Sequence, residues 1–463
     1  MSSVKVSIIG AGSIVFSLGL VKDMCLTKGL AGSQVSFMDI NGERLDVVYR
    51  LAVRYAQDLG ADLKLERTLD REESLQDADF MINTATITHN EYFMKRRREL
   101  VAEYGYFYGR TGMPEYHNLQ LMLDCARDVE RICPDAWILQ AGNPVSAGTT
   151  LMGRETSVKV CGLCHGHYGY RTIARTLGLD PERVTWQAPG LNHNIWLTRF
   201  YYDGQDAYPL LDAWIAEEAE KYWEQQEASR GVPAQMSRAA VHQYKMFGLM
   251  PVGDTPRGGG WWYHTDLGTR MRWYGGPGGG GDTPVGRDRI LRGKEIKYEE
   301  MKRAAYDAEA RPVELFGDQK TSEQHIPIID ALVNNNEYRA QVNVLNRGAL
   351  AGIPDDVAVE VPAIVNKMGI QPLRVTPLPP KVMLECIYPN WLGMERTLEA
   401  LKSGDTSMLL YGILDNHQTR TYDQAVEVLD ALLNIEPNEP MAYIEDIHDH
   451  YSWPDNWSLG PTD

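Results

Sequence analysis

Two stretches, Val4-Lys5-Val6-Ser7-Ile8-Ile9-Gly10-Ala11-Gly12-Ser13 and Val35-Ser36-Phe37-Met38-Asp39, decide how the first part of this chain folds. An apolar, β-rich run that breaks at Gly-x-Gly and enters a helical pattern is the strand–turn–helix unit that opens a doubly wound α/β domain. At such a turn the backbone N–H groups and the positive end of the next helix receive a dinucleotide pyrophosphate. The third glycine of the usual fingerprint is replaced by Val15. Asp39 restores the signal: a carboxylate ending the second strand accepts both hydroxyls of an adenosine ribose and repels a 2′-phosphate, which favours NAD over NADP. Gly10, Gly12, Ser13, Val15, Phe16 and Asp39 are the expected cofactor contacts, and a plain tight turn is the alternative.

Working outward, β-rich runs at about 79–84, 136–140 and 159–163 alternate with helical patterns at about 16–28, 43–58 and 118–132. That alternation predicts a parallel sheet with crossover helices over residues 1–190. Asn83-Thr84 and Asn143-Pro144 close two of these strands at their carboxyl ends, where α/β sites lie, although ordinary turn chemistry explains them equally well. Beyond a further strand at Val184 to Ala188 the pattern becomes mostly helical, with helices expected at about 208–228, 234–248, 297–310, 394–403 and 422–434. A mostly helical α+β domain over 191–463 is the reading.

The chain has 463 residues with 46 Lys plus Arg against 63 Asp plus Glu, a net charge of -17, which predicts a folded acidic protein of two or three domains. A nucleic-acid partner demands a basic stripe, and Lys95 to Arg98 is the one dense basic run, so nucleic acid is not expected. No apolar run is long enough to span a membrane and no signal peptide is recognisable, so a cytoplasmic protein is expected. Six scattered cysteines fit thiols in a reducing compartment better than a disulfide framework.

The densest cluster of ligand-type residues is Cys161-Gly162-Leu163-Cys164-His165-Gly166-His167. A structural zinc site would need a second Cys pair, which is absent, and a redox CxxC belongs at the start of a helix after the first strands. Buried turn residues and an open metal site remain. Leu191-Asn192-His193-Asn194 supplies another imidazole, and one thiolate with one imidazole leaves positions open for substrate oxygens. Gly253-Asp254-Thr255-Pro256-Arg257 and Trp261-Trp262-Tyr263-His264 place an acid, a base and aromatics in one glycine-rich segment, a way in which general bases are presented. The alternative there is an Asp-Thr-Pro turn with an arginine salt bridge. Glu323-Gln324-His325-Ile326-Pro327 and Asn343 to Gly348 read as site-lining turns.

Taken together with Ala141-Gly142-Asn143-Pro144 and Asp356-Val357-Ala358-Val359-Glu360-Val361-Pro362, these motifs resemble glycoside hydrolase family 4 over about residues 4–440. The resemblance implies a Rossmann-type, lactate/malate-dehydrogenase-like fold, NAD and manganese(II) as cofactors, and a homodimer or homotetramer. It implies Cys164 and His193 as metal ligands and His165 as the acid, with Asp254 as the base and Tyr263 as a second candidate. Asn143 and Asn192, with His167, Arg257 and His264, become the expected sugar contacts, and Asn83, Thr84 and Asn143 line the cofactor. The implied reaction is a redox elimination: hydride leaves the third carbon of the sugar, a proton leaves the second, the glycosidic oxygen departs, water adds and the hydride returns. Family 4 stands apart from two-carboxylate glycoside hydrolysis for this reason. Cys-His-Gly is the motif of the α-glucosidase and α-glucuronidase subgroup, and the Cys-Asp or Cys-Asn of the phospho-glycosidase subgroups is absent. The expected substrate is therefore an unphosphorylated α-glucoside, with α-glucuronide or α-galacturonide next. Against that subgroup the chain is shorter by about ten residues between Gly112 and Asn118, where an acidic sugar contact is normally supplied; Glu115 or His117 are the substitutes. The rival class is an NAD-dependent hydroxyacid or polyol dehydrogenase, which would accumulate NADH.

Overall fold

A computed structural model describes residues 3–87, 91–106, 116–229, 234–258, 284–405 and 407–433. Its first half is built on six strands: β1 (Lys5–Ile9), β2 (Ser33–Met38), β3 (Leu63–Thr68), β4 (Phe80–Asn83), β5 (Trp137–Gln140) and β6 (Lys159–Gly162). All pair in parallel, in the order 3-2-1-4-5-6. This is the doubly wound order, whose reversal between β1 and β4 opens a crevice at the carboxyl ends of the strands.

The cores of these strands are apolar because both faces are covered. Val6, Ile8, Val35, Phe37, Ile82 and Leu139 are fully buried. Helix α1 (Ile14–Cys25) follows the glycine turn, and α2 (Gly42–Asp58) is capped by Asn41, whose side chain accepts from the Arg44 N–H. Leu45, Val48, Leu51, Ala52 and Tyr55 of α2 face inward at helical spacing. Strand β3, absent from the sequence reading, is an edge strand whose Lys64, Glu66 and Arg67 dilute the apolar signal while protecting the edge.

The sheet does not stop at residue 190. Strands β8 (Gly190–Leu191), β9 (Asn194–Leu197), β12 (Met250–Val252), β13 (Tyr338–Leu345) and β14 (Ala358–Asn366) extend it, and β15 (Gly369–Pro372) pairs with β14. The result, among the described residues, is one twelve-stranded sheet, with β7 (Val184–Gln187), β10 (Arg199–Tyr202) and β11 (Gln205–Asp206) forming a separate small one. The second half is helical, as expected, but β13 and β14 run through its centre, β13 reaching into the 343–348 segment that reads as a turn and β14 covering a motif to which no strand was assigned. The long helix expected at 208–228 is two, Tyr208–Glu217 and Ala219–Ser229, and the one expected at 297–310 spans Pro284–Tyr306. No helix among the described residues is long and apolar enough to cross a membrane.

One row of backbone partners crosses the eleven strands of the main path: Thr68, Met38, Ile9, Asn83, Gln140, Gly162, Asn343, Glu360, Gly190, Ile195 and Val252. The motifs follow the strands of this row: Asp39 and Gly10 are one residue beyond it, while Cys164, Asn192 and Asp254 are two beyond. Sheet register therefore assembles segments that are far apart in sequence.

Candidate active site

The crevice between β1 and β4 is shaped by backbone. The N–H groups of Gly10 and Ala11 both donate to the Met38 carbonyl at 2.9 Å. Gly10 has φ +82°, and a Cβ there would lie 2.5 Å from the Ala85 nitrogen, so no other residue fits. Thr84 Oγ1 donates to the carbonyls of Ile9 and Gly10 and locks the turn from the β4 side. Gly12 N–H donates to Asp39 Oδ2 at 2.7 Å and Asn41 N–H to Oδ1 at 2.8 Å, which aims the carboxylate along the turn. Burial pushes the Asp39 pKa up, with these two bonds opposing it. Ser13 precedes α1 without spending its hydroxyl as a cap. Phe16 packs edge-on to His325 with centroids 5.2 Å apart. Val15 lies in α1, and its side chain lies outside the description.

Asn83 corrects the sequence reading. Its side chain is fully buried, donates to Gln140 Oε1 at 2.9 Å and accepts from the Ala85 N–H. It braces β4 against β5 and offers no surface to a cofactor. Asn143, by contrast, stays half-buried beyond β5, with its carbonyl accepting from the Asn118 amide.

Side chains build the second part of the site. Cys164 follows β6, and Asn192-His193 form the two-residue turn between β8 and β9, since Leu191 pairs with Asn194. His193 sits in the left-handed region at φ +62°, a conformation that costs a non-glycine residue about 1 kcal/mol or more. Asp254 follows β12, held by two devices. The Gly253 N–H donates to the buried Gln235 Oε1, and Thr255 Oγ1 exchanges hydrogen bonds with the backbone of Ile195 at 2.8 and 3.1 Å. A Cβ on Gly253 would lie 2.6 Å from the Gly166 Cα, so the Asp254 and Cys164 loops touch through paired glycines.

Asp254 Oδ2 lies 3.6 Å from His193 Nε2, and Oδ1 lies 3.2 Å from Arg257 Nη1. The arginine salt bridge and the placement of an acid in the site thus coexist. Burial pushes the Cys164 thiol up to about 12, the charges of Glu360 and Asp254 add to this, and bonds from Gly166 and Asn192 oppose it. Thiol, imidazole and nearby carboxylates form a donor set that a cation fits, because a positive ion is what favours the thiolate in such surroundings. Among the described residues no three His, Cys, Asp or Glu side chains are arranged to hold a metal ion. Cys164 and His193 together are a two-donor set.

Beneath the Asn192 turn lies Glu360, a residue given no role from sequence. It is 1% exposed and accepts from Asn192 Nδ2 at 3.0 Å. Burial raises its pKa to about 7. The sequence signal was available: Glu360 is the one acid in Ala358-Val359-Glu360-Val361-Pro362-Ala363, and buried acids in apolar strands need a reason.

His165 is half-exposed, and its Nε2 lies 2.9 Å from Glu323 Oε1. That contact is the chief cause of its raised pKa. Although burial alone would raise Glu323, hydrogen bonds from His165 and His325 bring it down to about 2. His167 departs from the expectation of a sugar contact. It is 2% exposed, stacks on Trp186 and places Nδ1 3.1 Å from the Cys164 carbonyl. It buttresses the Cys164 loop, and burial pushes its pKa down to about 3. Tyr263 and His264, like Glu115 and the rest of the shortened segment before Tyr116, lie outside the described residues. His117 is buried.

Residues 5–179 match the family 4 glycosyl hydrolase model, and residues 188–419 match the family 4 glycosyl hydrolase C-terminal domain. The chain is 26% identical to a probable 6-phospho-beta-glucosidase of Bacillus subtilis over 84% of its length and 86% of that protein. It is 25% identical to an alpha-glucosidase of Erwinia rhapontici, covering 92% and 97%, and 22% identical to an alpha-galacturonidase of Thermoanaerobacter italicus, covering 94% and 96%. The fold is similar to the crystal structure of a 6-phospho-alpha-glucosidase from gut microorganisms in complex with NAD and Mn2+, with a TM-score of 0.74 and 18% identity over 98% and 99% of the two chains. With the two models matched in sequence order across most of its length, the chain belongs to glycosyl hydrolase family 4.

Proposed function

We propose that this protein is an NAD- and manganese-dependent glycosidase acting on unphosphorylated α-glycosides, glucosides first. The observation that carries the proposal is the convergence of Cys164, His193 and Asp254 on a sheet whose other half presents a dinucleotide turn. Bound here, NAD supplies a reversible hydride acceptor and a divalent ion supplies Lewis acidity toward adjacent sugar oxygens.

The chain's own residues do the rest. The backbone turn at Gly10–Gly12 receives the pyrophosphate, and Asp39 takes the ribose hydroxyls. Cys164 and His193 would hold the ion as a two-donor set. Asn192 and Asn143 orient sugar hydroxyls. Asp254 accepts the proton from the sugar's second carbon, and His165 delivers one to the departing glycosidic oxygen.

Arg257 bears on the substrate. In an α-glucuronidase or α-galacturonidase its guanidinium could pair with the substrate carboxylate. Here it lies 3.2 Å from Asp254, an internal partner for its charge, which supports a neutral sugar. His165 at the position next to Cys164 supports a substrate without phosphate, although relatives at similar identity include a 6-phospho-beta-glucosidase. Hydrolysis of 4-nitrophenyl α-glucoside and α-glucuronide, each with and without NAD plus manganese, tests this reading. Release of 4-nitrophenol from the glucoside only when both cofactors are present is expected; cofactor-independent release, or preference for the glucuronide, overturns the corresponding part.

A further inference from the structure

We infer that Glu323 is the positioning residue for His165: it accepts from Nε2 and leaves Nδ1 as the ring nitrogen that exchanges a proton with the leaving group. The inference deepens the proposed function, since it rests on His165 as the acid.

The geometry begins at the glycosidic end. Glu323 Oε1 lies 2.9 Å from His165 Nε2, a hydrogen-bond distance. A neutral imidazole carries its proton on one nitrogen, and the partner of that nitrogen selects the tautomer. A carboxylate, which only accepts, therefore keeps hydrogen on Nε2 throughout: the imidazolium gives its Nδ1 proton to the departing oxygen, and the neutral ring that remains carries its hydrogen on Nε2. His165 itself is half-exposed and would otherwise rotate between orientations.

Glu323 is in turn anchored on the dinucleotide half. Its side chain is 13% exposed. Its N–H donates to Thr321 Oγ1 at 3.0 Å, and both the N–H and the hydroxyl of Thr321 donate to the carboxylate of Asp23 on α1. Its second oxygen lies 3.2 Å from Nδ1 of His325, which is 2% exposed and packs against Phe16, also on α1. Two contacts from one helix, the helix that opens at the glycine turn, thus fix the group that fixes His165. This is the carboxylate–imidazole logic of a hydrolytic triad with the ring nitrogens exchanged.

Two measurements test it. The first is a long-range 15N–1H spectrum of histidine-labelled, metal-free protein, with His165→Gln used to assign the resonance. The Nε2–H pattern is expected in the wild type, and a mixture of tautomers in Glu323→Gln. An Nδ1–H pattern in the wild type, or no change in the variant, overturns the inference whatever the enzyme cleaves. The second is turnover of α-glucosides with leaving groups graded from 4-nitrophenol to a simple alcohol. Glu323→Gln should lower kcat about 10- to 100-fold for the alcohol and less than about 3-fold for 4-nitrophenol, because a good leaving group needs little protonation. Glu323→Asp should recover part of the loss while KM stays near the wild-type value. An equal loss across the series denotes a merely structural role and contradicts the inference. If the wild type cleaves none of these glucosides, it is the proposed substrate that fails, and the spectrum still decides the role of Glu323.

Discussion

The two halves of the sheet reach the same row of residues by different means. On the dinucleotide side the strands are parallel, each motif lies within a few residues of its own strand, and contacts such as Gly10 and Ala11 to Met38 are made by backbone. On the metal side Cys164 follows β6, the last parallel strand, while the other strands are antiparallel and come from segments far apart, so that Asn192 and its partner Glu360 are separated by 168 residues. A backbone-built site needs only a spacing of glycines. A side-chain-built site needs the register of the whole sheet.

If that contrast is right, substitutions on the metal side should disable chemistry while leaving the fold, and those on the dinucleotide side should disturb fold and cofactor together. The largest effect is expected from Cys164→Ser, which should abolish manganese binding by calorimetry and reduce turnover to background. Its melting temperature should stay within a few degrees, roughly the shift of 1 kcal/mol in a protein of this size. Next, Asp254→Asn should lower kcat by about 10²- to 10⁴-fold with little change in NAD affinity. Comparable kcat in that variant would move the base to Tyr263.

On the other half, Gly10→Ala forces a Cβ to within 2.5 Å of the Ala85 nitrogen at φ +82°. A stability loss of about 1–3 kcal/mol by denaturant titration is expected, together with weaker NAD binding. Asp39→Asn should weaken NAD by about 10-fold or more while narrowing its advantage over NADP, read by fluorescence titration of both. Equal stability in Gly10→Ala would break the contrast between the halves.

The smallest effect concerns Glu360 in metal-free protein. Its pKa rises on folding from 4.5 to about 7, mainly through burial, so the folded state holds a proton that the unfolded state releases. Its contribution to stability is therefore present below pH 4.5 and is lost as pH rises toward 7. Glu360→Gln should flatten the melting temperature across that window, and an unchanged slope would show that Glu360 does not titrate there.

The sequence made the parallel half legible because its signals are local: a strand, a glycine turn, Asp39 and a helix repeat at short range. It also exposed Cys164, His193 and Asp254 as chemically unusual, but their meeting rested on resemblance, since no local pattern predicts that Gly162, Glu360 and Val252 share one row. Strand β13 alternates Arg339, Gln341 and Asn343 with apolar residues, a period-2 pattern that the turn reading of 343–348 obscured, and β14 is a nearly unbroken apolar run around Glu360. Asn83 and His167 misled in the opposite direction: polar residues at strand ends resemble ligands for a site, yet here they serve as buried braces. Glu323 stood in a motif read as site-lining, but its pairing with His165 was not legible, and Gln235 was not legible at all, because each acts on a loop more than 15 residues away.

The central claim is that the two halves act on one sugar in a single turnover. A 4-nitrophenyl α-glucoside carrying deuterium at the second carbon, incubated with enzyme, NAD and manganese, tests it most directly. The account predicts slowed turnover or loss of the label to solvent, with no net NADH. Full retention of the label without an isotope effect, or cleavage that proceeds without NAD, would contradict it.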